Sequence, residues 1–172
     1  SYHEFLTEII ITAVEKEGED LSEDYILLLA GAHASVVASA IHCRLLPADR
    51  VPLYKELVAL PYFDKTQPAL IGRPYYVGTD EWDNEVYCMG LWNQRENLRQ
   101  VIQILLALAQ VSPSEFLLQD TFPLITFSTK MGGAMSKRCK LTLLGRRLSV
   151  WGIQRRYMDF VRLVDQVKAR FK

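Results

Sequence analysis

Cysteine is scarce in this chain and is never closely spaced: Cys43, Cys88 and Cys139 are three in number, far apart, with no CxxC pair. This excludes a disulfide framework and a zinc finger or ribbon, and it makes a reducing compartment, cytoplasm or nucleus, the expected setting. Histidine is equally sparse. His33 and His42 stand nine positions apart, not in the i, i+4 relation that a helix uses to hold a metal, and His3 has no evident partner. Neighbouring side chains on a helix diverge, so His42 and Cys43 do not make a nucleophile pair. No metal and no cofactor is expected. There is no Walker spacing around Gly132 and Gly133, which lie beside Lys130, Lys137 and Arg138 and precede a strand-like run instead of opening a helix. There is also no internal repeat, no low-complexity tract and no basic leader, since acidic residues precede the first apolar run. Finally there is no net charge, with 20 acidic and 20 basic residues.

What is present is apolar bulk. At 172 residues and 49 % hydrophobic, the chain has the composition of a globular protein and the length of one domain, 1–172. Residues 25–43, YILLLAGAHASVVASAIHC, run for nineteen positions without a carboxylate or fixed cation. Ser22, Glu23 and Asp24 supply an acidic start and Arg44 with Pro47 a cationic end and a stop, so the sequence predicts a buried central helix over 22–46. A membrane span is the competing reading, which His33, Ser35, Ser39 and His42 disfavour.

Around that run the fold class expected is α+β. His3–Lys16 carries Phe5, Leu6, Ile9, Ile10, Ala13 and Val14 at helical spacing, and a short helix is predicted over 51–60. Strand-like runs at 75–77 and 85–91 flank the turn-rich TDEWDN and predict a hairpin over 74–91. Asn93 with Glu96 opens a second buried helix over 93–111, and Ser112-Pro113-Ser114-Glu115 opens a short helix to about Gln119. Beyond Pro123, the segments LITFST, KLTLL and LSVW read as strands of a hairpin or meander over 123–151, with Gly145 as a turn. A helix from about Ile153 closes the chain, with Tyr157, Phe160, Val161, Val164, Val167 and Phe171 as its apolar stripe and arginines and lysines elsewhere. Residues 1–111 are thus expected to be mainly helical apart from the hairpin, and 112–172 to be hairpin plus an amphipathic basic helix.

Charge is the main pointer to function. Residues 1–90 hold fifteen acidic against six basic side chains, a balance of −9, and residues 91–172 hold five against fourteen, a balance of +9. The expectation is a non-enzymatic interaction or assembly domain whose basic face, Lys130, Lys137, Arg138, Lys140, Arg146, Arg147, Arg155 and Arg156, holds an anionic partner. Nucleic acid read through its phosphates with little sequence preference comes first, then an acidic protein surface, with an anionic membrane behind them. Asp80, Glu81, Trp82, Asp83 and Glu85 crowd the predicted hairpin tip. They read as a solvated turn rather than a calcium loop, with Trp82 either folded back or offered to a partner. The alternative is that the acidic half neutralises the basic half, within one chain or between copies as a homo-oligomer. A catalytic pocket assembled in three dimensions is a further alternative.

Overall fold

Tyr25–Ala30, YILLLA, is a strand, β1, and it lies second from one edge of a four-stranded sheet ordered β2-β3-β1-β4. A computed structural model describes residues 25–30, 33–63, 74–91, 95–108, 112, 116–124 and 142–170. Its helices and mixed sheet make an α+β fold. The first correction falls on the central run: the helix expected over 22–46 is a strand followed by a helix, α1, at Ala34–His42. Both elements are buried on all sides, so both lack a polar face, and the apolar run spans their junction without a change in composition.

The remaining elements follow in order. α2 is Tyr54–Ala59, started by Glu56, which accepts a hydrogen bond from the Leu53 N–H at 2.6 Å and is gripped by both terminal nitrogens of Arg50 at 2.9 and 2.7 Å. β2 (Pro74–Thr79) and β3 (Glu85–Gly90) form the expected hairpin, antiparallel, with an irregularity between Tyr76 and Gly78. α3 is Arg95–Leu108, within the expected 93–111, but it is not the buried helix expected there: Ile102 is buried while Val101, Ile104 and Leu108 are exposed. β4 is Phe116–Asp120, a second correction, because a short helix was expected there. Parallel pairing of Phe116 to Asp120 with Tyr25 to Leu29 outweighs the local helix-start signal before it. A 3-10 turn, Phe122–Leu124, follows.

The third correction concerns the expected strands at 140–144 and 148–151. Thr142–Arg155 is a helix, α4. Ser149, Val150 and Ile153 are buried at i, i+1 and i+4, a helical stripe that the β-branched bias of LSVW conceals. Residues 125–141, the other part of the expected hairpin, lie outside the described residues, as do the helix expected at 3–16 and Phe171. α5, Tyr157–Lys168, buries the expected Tyr157, Phe160, Val161, Val164 and Val167.

β1 pairs in parallel with β3 on one side and β4 on the other. Its alternate side chains divide two cores. Ile26 and Leu28, with Val86 and Cys88, meet α1, α2, α4 and α5 on one face of the sheet. Leu27 and Leu29, with Met89 and Leu91, meet Ile102 and Leu106 of α3 on the other.

Candidate functional site

Two ends of the sheet carry polar groups. At the carboxyl ends of the parallel strands, β1 leads into α1 on one face while its neighbour β3 leads into α3 on the opposite face. The adjacent strands therefore send their helices to opposite faces, the arrangement that in open sheets with parallel strands opens a crevice at the strand ends. α1 begins there at His33, whose carbonyl accepts from the Val37 N–H at 3.0 Å and whose ring meets Phe63 edge-on, with centroids 4.9 Å apart. The His33 side chain makes no capping hydrogen bond to this helix, no carboxylate lies in its first turn, and Ala34, Ser35 and Val36 are buried. On the far side of β1, the Thr121 N–H and hydroxyl both donate to the Leu29 carbonyl, at 2.7 and 3.1 Å, fixing the end of β4 against β1.

The opposite end holds a buried histidine–aspartate pair. His42, at the last turn of α1, lies 3.1 Å from Asp80 through Nε2 and Oδ2, both side chains out of solvent. Asp80 also accepts from the Trp82 N–H, the Asn84 N–H and the Asn84 side-chain amide, at 2.9, 3.0 and 3.0 Å. Burial raises the Asp80 carboxyl, but these hydrogen bonds together outweigh burial and hold it below its ordinary value. For His42 burial wins over the attraction of Asp80, and the imidazole is held below its ordinary value. The ring is thus neutral beside an ionised carboxylate, and its Nδ1 has no hydrogen-bond partner among the described residues. This pair ties α1 to the hairpin. Buried Asp80 corrects the expected solvated tip.

The other tip residues divide. Glu81 meets Lys168 at 2.6 Å and Arg44 at 3.4 Å, so acidic and basic halves touch within one chain. Trp82 is partly exposed with the Lys168 ammonium 5.9 Å above its ring, Asp83 is exposed in a left-handed turn conformation, and Glu85 accepts from the Tyr87 hydroxyl at 2.7 Å. Among the described residues no group of three or more side chains is arranged to hold a metal. Cys43 and Cys88 are both pushed up to about 12, chiefly by burial, and are inert thiols at neutral pH.

Four of the expected anion contacts, Lys130, Lys137, Arg138 and Lys140, lie outside the described residues. Arg147 and Arg155 are exposed on α4, Arg155 lying 5.3 Å above the ring of Trp151. Arg146 is half-buried on α4, and Arg156 is ion-paired to Asp159 at 2.7 Å. Sequence reasoning missed the His42–Asp80 pair because 38 positions separate its members. A histidine on a helix with no polar face was the available signal, since a buried imidazole calls for a partner.

A comparison with known families places residues 27–169 in one described as a protein of unknown function, DUF3189. The chain belongs to DUF3189. No curated protein and no solved structure matches it. The DUF3189 match runs from β1 to the residue after α5, so it takes in the crevice, the His42–Asp80 pair and the α4 arginines alike. Among the described residues no helix is long and apolar enough to cross a membrane.

Proposed function

We propose that this DUF3189 chain is a binding domain for a small anionic ligand, seated in the crevice at the carboxyl ends of β1 and β3. One observation carries the reading: adjacent parallel strands send their following helices to opposite faces of the sheet. In open sheets with parallel strands, ligands bind outside the carboxyl ends at such a switch point. The start of α1 favours negative charge there through the helix dipole, with no carboxylate in its first turn. A phosphate or carboxylate group fits this chemistry.

A second reading, a polyanion held by phosphate contacts, draws support from exposed Arg147 and from Arg155 laid over the half-exposed Trp151. Titration of the amide-labelled chain with inorganic phosphate, pyrophosphate and a short RNA separates the two by NMR. The first reading expects shifts centred on residues 33–37 that saturate with phosphate or pyrophosphate. Shifts confined to α4 with RNA, falling steeply with salt, would favour the second. If no amide responds to any of the three, both readings fail.

A further inference from the structure

α4 turns one narrow side to solvent. At ~100° per residue, Gly145, Ser149, Val150, Gly152 and Ile153 fill a buried arc of about 160°, and Arg147, Trp151 and Arg155 stand on an exposed arc of about 80° opposite it, at i, i+4 and i+8. Trp151 is 51 % exposed between the two arginines, with the Arg155 guanidinium 5.3 Å above its ring. A helix that buries two glycines and a serine while turning its indole outward reverses the usual order of burial.

The neighbouring loop adds apolar surface to this side. Gln154, at the edge of the exposed arc, donates from its side-chain amide to the Pro52 carbonyl at 2.9 Å, which lays residues 51–53 along the flank of the row formed by Arg147, Trp151 and Arg155. Pro52 is buried, whereas Val51 and Leu53 on either side of it are 43 and 54 % exposed. The charge here is positive. Residues 142–162 hold five arginines and one aspartate, and that aspartate, Asp159, already accepts from Arg156 at 2.7 Å and from Arg162 at 3.2 Å. On the loop and α2, Asp49 and Glu56 are balanced by Arg50 and Lys55, with Glu56 bonded to Arg50 at 2.7 Å.

We propose that this face, Val51, Leu53 and Trp151 with Arg147 and Arg155, docks on the surface of an anionic lipid bilayer. Charge and apolarity both match that occupant. Arginines reach lipid phosphates while their methylene stems lie along apolar surface. An indole settles at the boundary between headgroups and acyl chains, and exposed aliphatic side chains beside it enter the same layer. A bilayer also receives side chains that project from separate elements, here a loop and a helix, without needing a fitted groove. An RNA strand would satisfy the arginines and stack on Trp151, but it would leave Val51 and Leu53 in water. The proposal is independent of the crevice near residues 33–37, and either can fail alone.

The test mixes the full chain with vesicles of phosphatidylcholine alone, with vesicles that also carry phosphatidylserine, and with a short RNA, each at low and high salt. Brominated acyl chains report contact with Trp151 by quenching, and Trp151→Phe is the control for the other tryptophans. The expected result is sedimentation with the phosphatidylserine vesicles and not with the neutral ones, weakened by salt, with quenching that Trp151→Phe removes. Each cation near an anionic surface is worth about fivefold in affinity, so the double variant Arg147→Gln, Arg155→Gln should bind about 25-fold more weakly. Leu53→Ser keeps the charge and removes apolar burial, and should bind about fivefold to tenfold more weakly. Absence of binding to phosphatidylserine vesicles overturns the proposal. Adsorption without quenching of Trp151, or undiminished binding by Leu53→Ser, would reduce the contact to charge alone and overturns it too. Tighter association with RNA than with the vesicles, lost in the double arginine variant, would assign the face to nucleic acid. A dimer in the free chain that Leu53→Ser converts to monomer would assign it to a second copy; both outcomes overturn it.

Discussion

Leu27 and Leu28 are neighbours on β1 and belong to different proteins in all but covalent connection. Leu28 faces a core built from four helices, where Tyr157, Phe160 and Val164 of α5 close over α1. Leu27 faces a cluster that, among the described residues, lies under one helix and is bordered by half-buried Tyr87, Phe116 and Leu118. Among the described residues the first face holds the larger packed core, and side chains buried in it should contribute more to stability.

The sharpest way to break this comparison is to hollow each face in turn. Phe160→Ala, in the thick core, should cost about 3–5 kcal/mol in urea unfolding. Leu28→Ala should cost about 2–5 kcal/mol and more than Leu27→Ala, because Leu28 belongs to the larger of the two clusters of described residues. Equal losses at Leu27 and Leu28 would mean the two faces are equally well packed.

A polar substitution tests the tie between α1 and the hairpin. Asp80→Ala strands the Asn84 amide, the Trp82 and Asn84 N–H groups and one nitrogen of His42, at about 1–3 kcal/mol for each group that water cannot reach. Acid should act in the same direction. Both pKa values are depressed on folding, so the unfolded chain binds the extra protons and stability falls as pH falls. The His42 contribution is complete above about pH 6.5 and is lost as pH drops through its folded value, and that of Asp80 is complete above about pH 3.9 and is lost below it. His42→Gln should therefore flatten the loss of stability between pH 7 and 5 while leaving the steeper acid limb, and an unchanged profile would remove His42 from the account. Smallest of all, Glu81→Gln, which loosens Lys168 and Arg44 at the surface, should change stability by about 0–1 kcal/mol, read by thermal melting.

The parts of the fold legible in the sequence were those with contrast. TDEWDN between two apolar runs marks the hairpin, and the stripe of Tyr157, Phe160, Val161, Val164 and Val167 against arginines marks α5. Residues 25–43 offer no contrast, because a strand covered on both faces and a helix covered on every side draw on the same residues. Only Gly31 hints at the break between them. Partnering is invisible to charge counting for a similar reason. Arg156 and Lys168 add to the basic balance, yet the first is paired with Asp159 three positions away and the second with Glu81 eighty-seven positions away. The crevice was illegible because it arises from strand order, which appears only when β3 and β4 take their places on either side of β1.

That strand order has a consequence for the birth of the protein. Tyr25 finds its partners at Glu85 and Phe116, 60 and 91 residues further along the chain. At ~5–20 residues per second, a ribosome takes about 5–18 s to deliver the second of them. Until β3 follows, YILLLA has no parallel neighbour to pair with, and until β4 follows one of its edges stays open. Newly made chains should therefore depend on chaperones that shield extended apolar segments more heavily than helical proteins of equal length, whose contacts form as soon as each turn leaves the exit tunnel.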